Sequence, residues 1–361
     1  RRKAERFHLK AIDGLTELKA GLSNQSDQFE RDLTIVVPAH NTEHYLGRCL
    51  SSLVRQSIPD KEIIVVDDGS TDRTGRIADA WSKRHPEIRV VHQERRGPGG
   101  ARAAGQAVAQ GEFIGFVDSD DWAEPDMVER LLNAMLLSQA EIAQCGFWVF
   151  DERLNRRHLN EESFPTQTTG PDGRAVARGV DLLLLQPSIW RRVYRAEFLE
   201  KCPTNVAASL WLHEDLVFQF ATLIRASRVA IVSEPLYNYR VGRKGQAVGI
   251  RDRRQWVHFP AFQAMAEICS HTDDALAERR LKQIQLNSHL WVLGNLSSEL
   301  RSAYRTEAAH DIFRGRRNVK AVQVIADSFR RSFELGVQSL GLYVRSRLPL
   351  RSAVSEDAPE R

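Results

Sequence analysis

From Leu33 onward, short apolar runs alternate with stretches of helical periodicity, and this alternation limits the possible fold more than any other feature of the chain. Leu33–Val37 is apolar with only Thr34 interrupting, as expected of a strand covered on both faces, and Glu62–Val66, Ile88–His92 and Phe113–Val117 repeat the pattern. Between them, Glu43–Arg55 lines up Tyr45, Leu46, Cys49, Leu50 and Leu53 on one helical face. Asp72–Lys83 is a second helix, and Gly97–Ala109 opens as a Gly/Pro loop before an alanine-rich third. This repetition predicts an α/β fold: a Rossmann-like, mostly parallel sheet with right-handed crossovers and helices on both faces. Pro125–Leu137 continues as helix and Glu141–Phe150 as strand. Residues 151–175 read as a flexible polar loop, and from about Gln255 the chain is helical to about Arg347, through Ala275–Leu286 and Val319–Val344. The predicted organisation is an extension over 1–30, with Leu9, Ile12, Leu15 and Leu18 at helical spacing, an α/β domain over 31–245, a helical region over 246–350 and a disordered tail over 351–361.

Composition, at 42% hydrophobic and 27% charged residues, is that of a soluble globular protein. The net charge of +4 is unevenly spread. Residues 1–240 carry 31 basic and 34 acidic side chains, and residues 241–361 carry 20 and 13. No nucleic-acid-reading motif accompanies the basic third, so no nucleic-acid partner is expected. Phe329, Phe333, Val337, Leu340 and Val344 recur there at helical spacing beside Arg330, Arg331, Arg345 and Arg347. That stripe fits docking onto the rest of the chain or self-association, and secondarily peripheral contact with anionic lipid. No apolar stretch approaches the ~20 residues of a membrane span, and the basic start lacks the apolar core of a secretory leader. Cys49, Cys145, Cys202 and Cys269 lie far apart, with no zinc or disulfide spacing. The expected location is the cytoplasm, at the inner membrane face if the helical region meets lipid.

Ligands of open parallel sheets bind beyond the carboxyl ends of the strands. Three predicted strands here end in polar loops: Pro38-Ala39-His40-Asn41, Asp67-Asp68-Gly69-Ser70-Thr71-Asp72 and Asp118-Ser119-Asp120-Asp121. The last is the most specific signal. Three carboxylates within four residues repel one another unless a hard cation lies among them, and such a cation also neutralises a diphosphate. Helix capping would need only one of them. In the second loop, Ser70 or Asp72 reads as an N-cap, whereas Asp67 and Asp68 stand at the strand end, where a carboxylate can accept from the imide N–H of uracil.

The segments TIVVPAHNTEHYLGRCLSSL, EIIVVDDGSTDRT, GPGGARAAG and GEFIGFVDSDDW together resemble family 2 glycosyltransferases of the GT-A fold. The resemblance implies a nucleotide-sugar donor, usually UDP-linked, a Mn²⁺ or Mg²⁺ ion on a D-x-D motif, and inversion at the anomeric carbon. It places Asp118 and Asp120 in the D-x-D pair with Asp121 beside them as metal ligands. Pro38, Asn41, Glu43, Asp67, Asp68, Arg102, Asp118 and Ser119 fall at the nucleotide sugar. The chain departs from the family at Ala103, where Asn is common, and at Gly99-Gly100, where Ser-Ala is usual. Glu214-Asp215 resembles the family's E-D motif, with Asp215 as the general base; a first-turn helix carboxylate is the structural alternative. Pro235-Leu236-Tyr237-Asn238-Tyr239-Arg240 is similar to a downstream Y-x-Y-R segment whose residues either touch an anion or pack the core. Trp122, Trp190 and Trp211 are sugar-stacking candidates or core residues, and His213 is a supporting residue. Implied acceptors are polysaccharide, teichoic-acid-like or lipid-linked hydroxyls. A nucleotidyltransferase would need a G-x-G-T-R loop after the first strand and a dehydrogenase G-x-G-x-x-G, and neither is present. A non-catalytic binding module would be expected to have lost its carboxylates.

Overall fold

The computed structural model describes residues 33–162, 168–169, 175–243, 246 and 250–312. The predicted N-terminal helix, the Phe329–Val344 stripe and the tail lie outside the described residues. Strand β1 (Leu33–Ala39) is followed by α1 (Leu46–Val54), β2 (Lys61–Asp68), α2 (Thr74–Ser82), β3 (Ile88–Gln93), α3 (Gly97–Ala107) and β4 (Phe113–Phe116). The four strands pair in parallel in the order β3-β2-β1-β4. Every residue of β1 and β2 is buried because alternate side chains serve opposite faces. Leu33, Ile35, Val37, Ile63 and Val65 pack with Leu46, Cys49, Leu50 and Leu53 of α1, while Val36, Ile64 and Val66 pack with Ala101 of α3.

Beyond β4 come β5 (Trp122–Ala123), α4 (Met127–Ser138), β6 (Ile142–Asp151), β7 (Arg156–Leu159), β8 (Thr168–Thr169), β9 (Ala175–Ala177), β10 (Arg192–Arg195), α5 (Ala196–Glu200), α6 (Glu214–Leu223) and β11 (Val229–Val241). The sheet reads β3-β2-β1-β4-β10-β6-β11-β9-β8, with β10 antiparallel to both neighbours and β11 parallel to β6. β5 pairs with Tyr237 and Asn238 of β11, so the loop between β4 and β5 is held at both ends. The span read as a flexible loop over 151–175 contains β7, which turns back on β6, and β8. Arg156, Arg157, His158 and Leu159 of β7 are all exposed, so this strand pairs through its backbone without the apolar alternation that marks a strand in sequence.

Helices α7 (His258–Ser270), α8 (Ala275–Asn295) and α9 (Ser298–Ile312) follow. Asp274 caps α8, its side chain accepting from the N–H groups of Leu276 and Ala277. Ala261, Phe262, Met265, Ile268, Ala277, Leu281 and Ile284 belong to the same core as α6 and the Val36–Ile64 face, so these helices complete one side of the sheet. All four cysteines are buried and unpaired. No helix among the described residues is long and apolar enough to cross a membrane.

Candidate active site

Side chains lace the first two loops together. Asn41 adopts the left-handed region with φ 51°, which asparagine tolerates better than most residues. Its Oδ1 accepts from the N–H groups of Thr71 at 2.8 Å and Asp72 at 3.4 Å, and its own N–H donates to Ser70 Oγ at 3.1 Å. Glu43 accepts from Arg73 N–H and Nε–H at 3.0 and 2.9 Å, and these bonds hold its carboxyl below the usual range. Pro38 lies buried within β1. Asp67 accepts from Ser70 N–H at 3.2 Å, and its other oxygen lies 3.0 Å from His92 Nδ1. Hydrogen bonds to Asp67 and then Asp79 raise the His92 pKa. Asp68 serves the next turn: one oxygen accepts from Gln93 Nε2 and Arg96 N–H, both at 2.7 Å, and the other from Gly97 N–H at 2.8 Å. Both oxygens thus fasten the start of α3.

The acidic loop is organised by three arginines, one from α3 and two from the end of β11 and the turn after it. Arg102 of α3 donates through one nitrogen to Asp118 Oδ1 at 2.6 Å and through another to Glu214 Oε1 at 2.8 Å. Burial alone would lower the Arg102 pKa, but the two carboxylates outweigh it and hold the guanidinium charged. Arg243 donates to Asp120 Oδ2, and Arg240 Nε donates to the Asp120 carbonyl at 2.7 Å. Asp121 is 1% exposed, with one oxygen accepting from Tyr237 OH at 2.8 Å and the other from Arg240 N–H at 2.7 Å. Burial, then Asp120 and Asp118, push the Asp121 pKa well up; Asp120 is raised by burial, with Arg243 opposing and Asp118 adding. Ser119 is buried between them.

These residues suit a divalent cation in a particular way. Among the described residues, no group of three or more His, Cys, Asp or Glu side chains is arranged to hold an ion. Asp118 and Asp120 each give one oxygen to an arginine. Two neighbouring carboxylates, completed by water and a diphosphate, match how Mg²⁺-like ions are held better than an all-protein cage would. Asp121, with both oxygens engaged, instead supports the loop.

The start of α6 reaches this loop through Glu214. Burial pushes the Glu214 pKa up to about 7, with Arg102 opposing and Asp215 adding. Asp215 is only partly buried, and its Oδ1 accepts from Leu216 N–H at 2.8 Å. His213 precedes the pair at φ 61°; its Nε2 lies 3.2 Å from Gln255 Oε1, and its ring centroid lies 3.5 Å from that of His258. Imidazoles therefore tie the turn before α6 to α7.

Sequence reasoning passed over Glu214 and Arg243. Glu214 was visible only as the neighbour of Asp215, and Arg243 lies in a Gly/Arg/Lys turn that marks a boundary as readily as a ligand. The Y-x-Y-R segment proves to brace the acidic loop: Tyr237 OH also accepts from Asp118 N–H at 3.2 Å, and Tyr239 stacks on Trp190. Trp122 and Trp190 are buried, whereas Trp211 is 51% exposed. The Gly-rich turn is built for close packing. A Cβ on Gly99 would strike the Ala207 carbonyl, and one on Gly105 would strike Val36.

A parallel four-stranded half, an acidic loop after its fourth strand and a Glu-Asp helix start docked against that loop define the GT-A class of fold. S. aureus TarS 1–349, solved in complex with UDP-GlcNAc, superposes with a TM-score of 0.63 at 19% identity, covering 90% of this chain and 95% of that one. Residues 34–202 match the family model for glycosyl transferase family 2. Glycosyltransferase GlyG of Streptococcus pneumoniae is 40% identical over 222 residues, 58% of this chain and 70% of GlyG. The uncharacterized glycosyltransferase EpsJ of Bacillus subtilis is 34% identical over 210 residues, 58% of this chain, and the match spans 60% of EpsJ. The chain belongs to glycosyltransferase family 2.

Proposed function

We propose that the chain transfers a sugar from a UDP-linked donor to a hydroxyl of a cell-surface polymer or lipid-linked acceptor, inverting the anomeric centre. The observation that carries this reading is the Arg102 bridge: one guanidinium joins Asp118, the first residue of the D-x-D loop, to Glu214, whose neighbour Asp215 is a partly exposed carboxylate. Asp215 takes the acceptor proton as the hydroxyl attacks the anomeric carbon and the bond to the diphosphate breaks, so no sugar–enzyme bond forms. Asp118 and Asp120 would hold Mn²⁺ or Mg²⁺, which supplies positive charge against the departing diphosphate. Arg102 holds one oxygen of Asp118 and Arg243 one oxygen of Asp120, which fixes the two carboxylates relative to each other. Asp67, at the end of β2, is the carboxylate that would accept from the imide N–H of the base, since a carboxylate oxygen can accept a second hydrogen bond. The TarS complex with UDP-GlcNAc supports a UDP-linked donor.

The test is UDP release across a panel of UDP-sugars, with Mn²⁺ or with EDTA. Release is expected with the metal and not with the chelator, and Asp120→Ala should lose both turnover and metal-dependent UDP binding. Absence of metal-dependent UDP binding in the unaltered protein by calorimetry would overturn the reading.

A further inference from the structure

Trp211 is the one aromatic side chain among the large apolar groups exposed in the described residues; the others are Val108, Leu136, Leu137, Leu154, Leu159 and Leu286. Its indole is nonetheless firmly seated. Gly97 carries φ +82°, a conformation that favours glycine, and a Cβ there would stand 3.3 Å from the indole, so the turn and the ring lie in close contact. The Gly97 N–H is fixed in turn by Asp68. The Arg95 guanidinium lies 5.3 Å from the ring centroid, and the Arg95 backbone closes on Gly69 in the loop that holds Asp67. Just upstream, the 3-10 turn Thr204–Ser209 packs against α3, where the Ala207 carbonyl faces Gly99. Trp211 therefore borders the loop assigned to base selection, although it comes from the segment leading into α6.

We infer that Trp211, with the Arg95 guanidinium over part of its ring, is the stacking wall for the planar base of the nucleotide donor. This rests on the reading of the chain as a nucleotide-sugar transferase and adds a specificity-determining residue to it. A half-exposed indole packed against Gly97, with a guanidinium over part of its ring, offers a planar base a face to cover, while the Asp67 carboxylate reads its edge. Because the same segment carries Glu214 and Asp215, base stacking would also draw the α6 start toward the donor, coupling nucleotide binding to placement of the general base.

The experiment is calorimetry of UDP and of inorganic pyrophosphate, each with Mn²⁺, on the unaltered protein, Trp211→Ala and Trp211→Phe. Loss of one base–aromatic stack corresponds to about a ten- to hundredfold weaker UDP Kd for Trp211→Ala. Pyrophosphate binding should be unchanged, and Trp211→Phe should recover most of the UDP affinity. A UDP Kd in Trp211→Ala equal to that of the unaltered protein, with UDP still bound, overturns the stacking wall and leaves the transferase reading intact. Equal losses for UDP and pyrophosphate also overturn it, because the residue would then act on the diphosphate or the fold. Failure of the unaltered protein to bind UDP removes both readings.

Discussion

Arg102 joins two carboxylates, one from the β4–β5 loop and one from α6, that are far apart in sequence. A lysine point charge cannot span both, whereas a planar guanidinium donates to each from a separate nitrogen. Arg102→Met would leave Glu214 buried without its cation, an expected loss of about 3–5 kcal/mol in urea unfolding. The deficit should be largest at pH 8 and shrink toward pH 5. Glu214 is already raised to about 7 in the intact protein and rises further without Arg102, so the folded variant holds a proton that the unfolded chain releases above about 4.5. A deficit that grows on acidification would contradict this assignment of charge. At the next residue along, Asp215→Asn should lower kcat by about two to four powers of ten while UDP affinity stays near that of the unaltered protein. Retained turnover would remove Asp215 from the role of base.

Among the elements, α3 is the hinge of the site: its first turn is held by Asp68, its middle carries Arg102, and its far face lies against the sheet. Glycines that usually weaken a helix are needed here for that closeness. Gly105→Ala would ordinarily gain about 0.5–1 kcal/mol from helix propensity. Here the added methyl meets Val36 and Val66, and overpacking of about 1–3 kcal/mol reverses the sign. Thermal unfolding should show Gly105→Ala destabilised, and Gly105→Ala with Val36→Ala should be less destabilised than the two single changes summed. Strict additivity would show that the helix can shift away at no cost. β5 matters despite its length, because its pairing with β11 delivers Tyr237 and Arg240 to Asp121 and Asp120.

Across the whole molecule, α7–α9 join the catalytic half through a run of histidines. His258 is buried against His213 on one side, with His289 among the charges that face it, and His289 is hydrogen-bonded to Tyr304 and Asp311. Burial, then His213, depress the His258 pKa well below the ordinary 6.5. The folded protein thus keeps this ring neutral while the unfolded chain protonates it, so its stability contribution is complete above about pH 6.5 and is lost as pH falls below that value. One such group accounts for a slope of at most about 1.4 kcal/mol per pH unit. Urea midpoints at pH 7.5, 6.5 and 5.5 should fall more steeply for the unaltered protein than for His258→Phe; parallel curves would place the acid sensitivity elsewhere.

The amino-acid sequence by itself determined the parallel half and its acidic loop, because both follow from local patterns. Residues buried on two faces are mostly apolar, with polar ones confined to the strand ends and to hydrogen-bonded pairs such as Thr34 and Glu62, and a carboxylate cluster at a strand end has few other uses. The first four strands and three intervening helices accordingly fall within a few residues of where periodicity puts them. Asp118 and Asp120 stand out by that pattern, whereas Asp215 stands out only through the resemblance of Glu214-Asp215 to an E-D motif. Tertiary structure alone decided that β10 enters antiparallel between β4 and β6, that exposed β7 is a strand, and that Asp68 and Asp121 fasten loops through both of their oxygens. It also decided the partners of the loop, since Arg102, Arg243 and Tyr237 reach the acidic residues only after β11 and α3 have docked. Such contacts depend on which distant surfaces bury together, and nothing in the spacing of neighbouring residues records that choice.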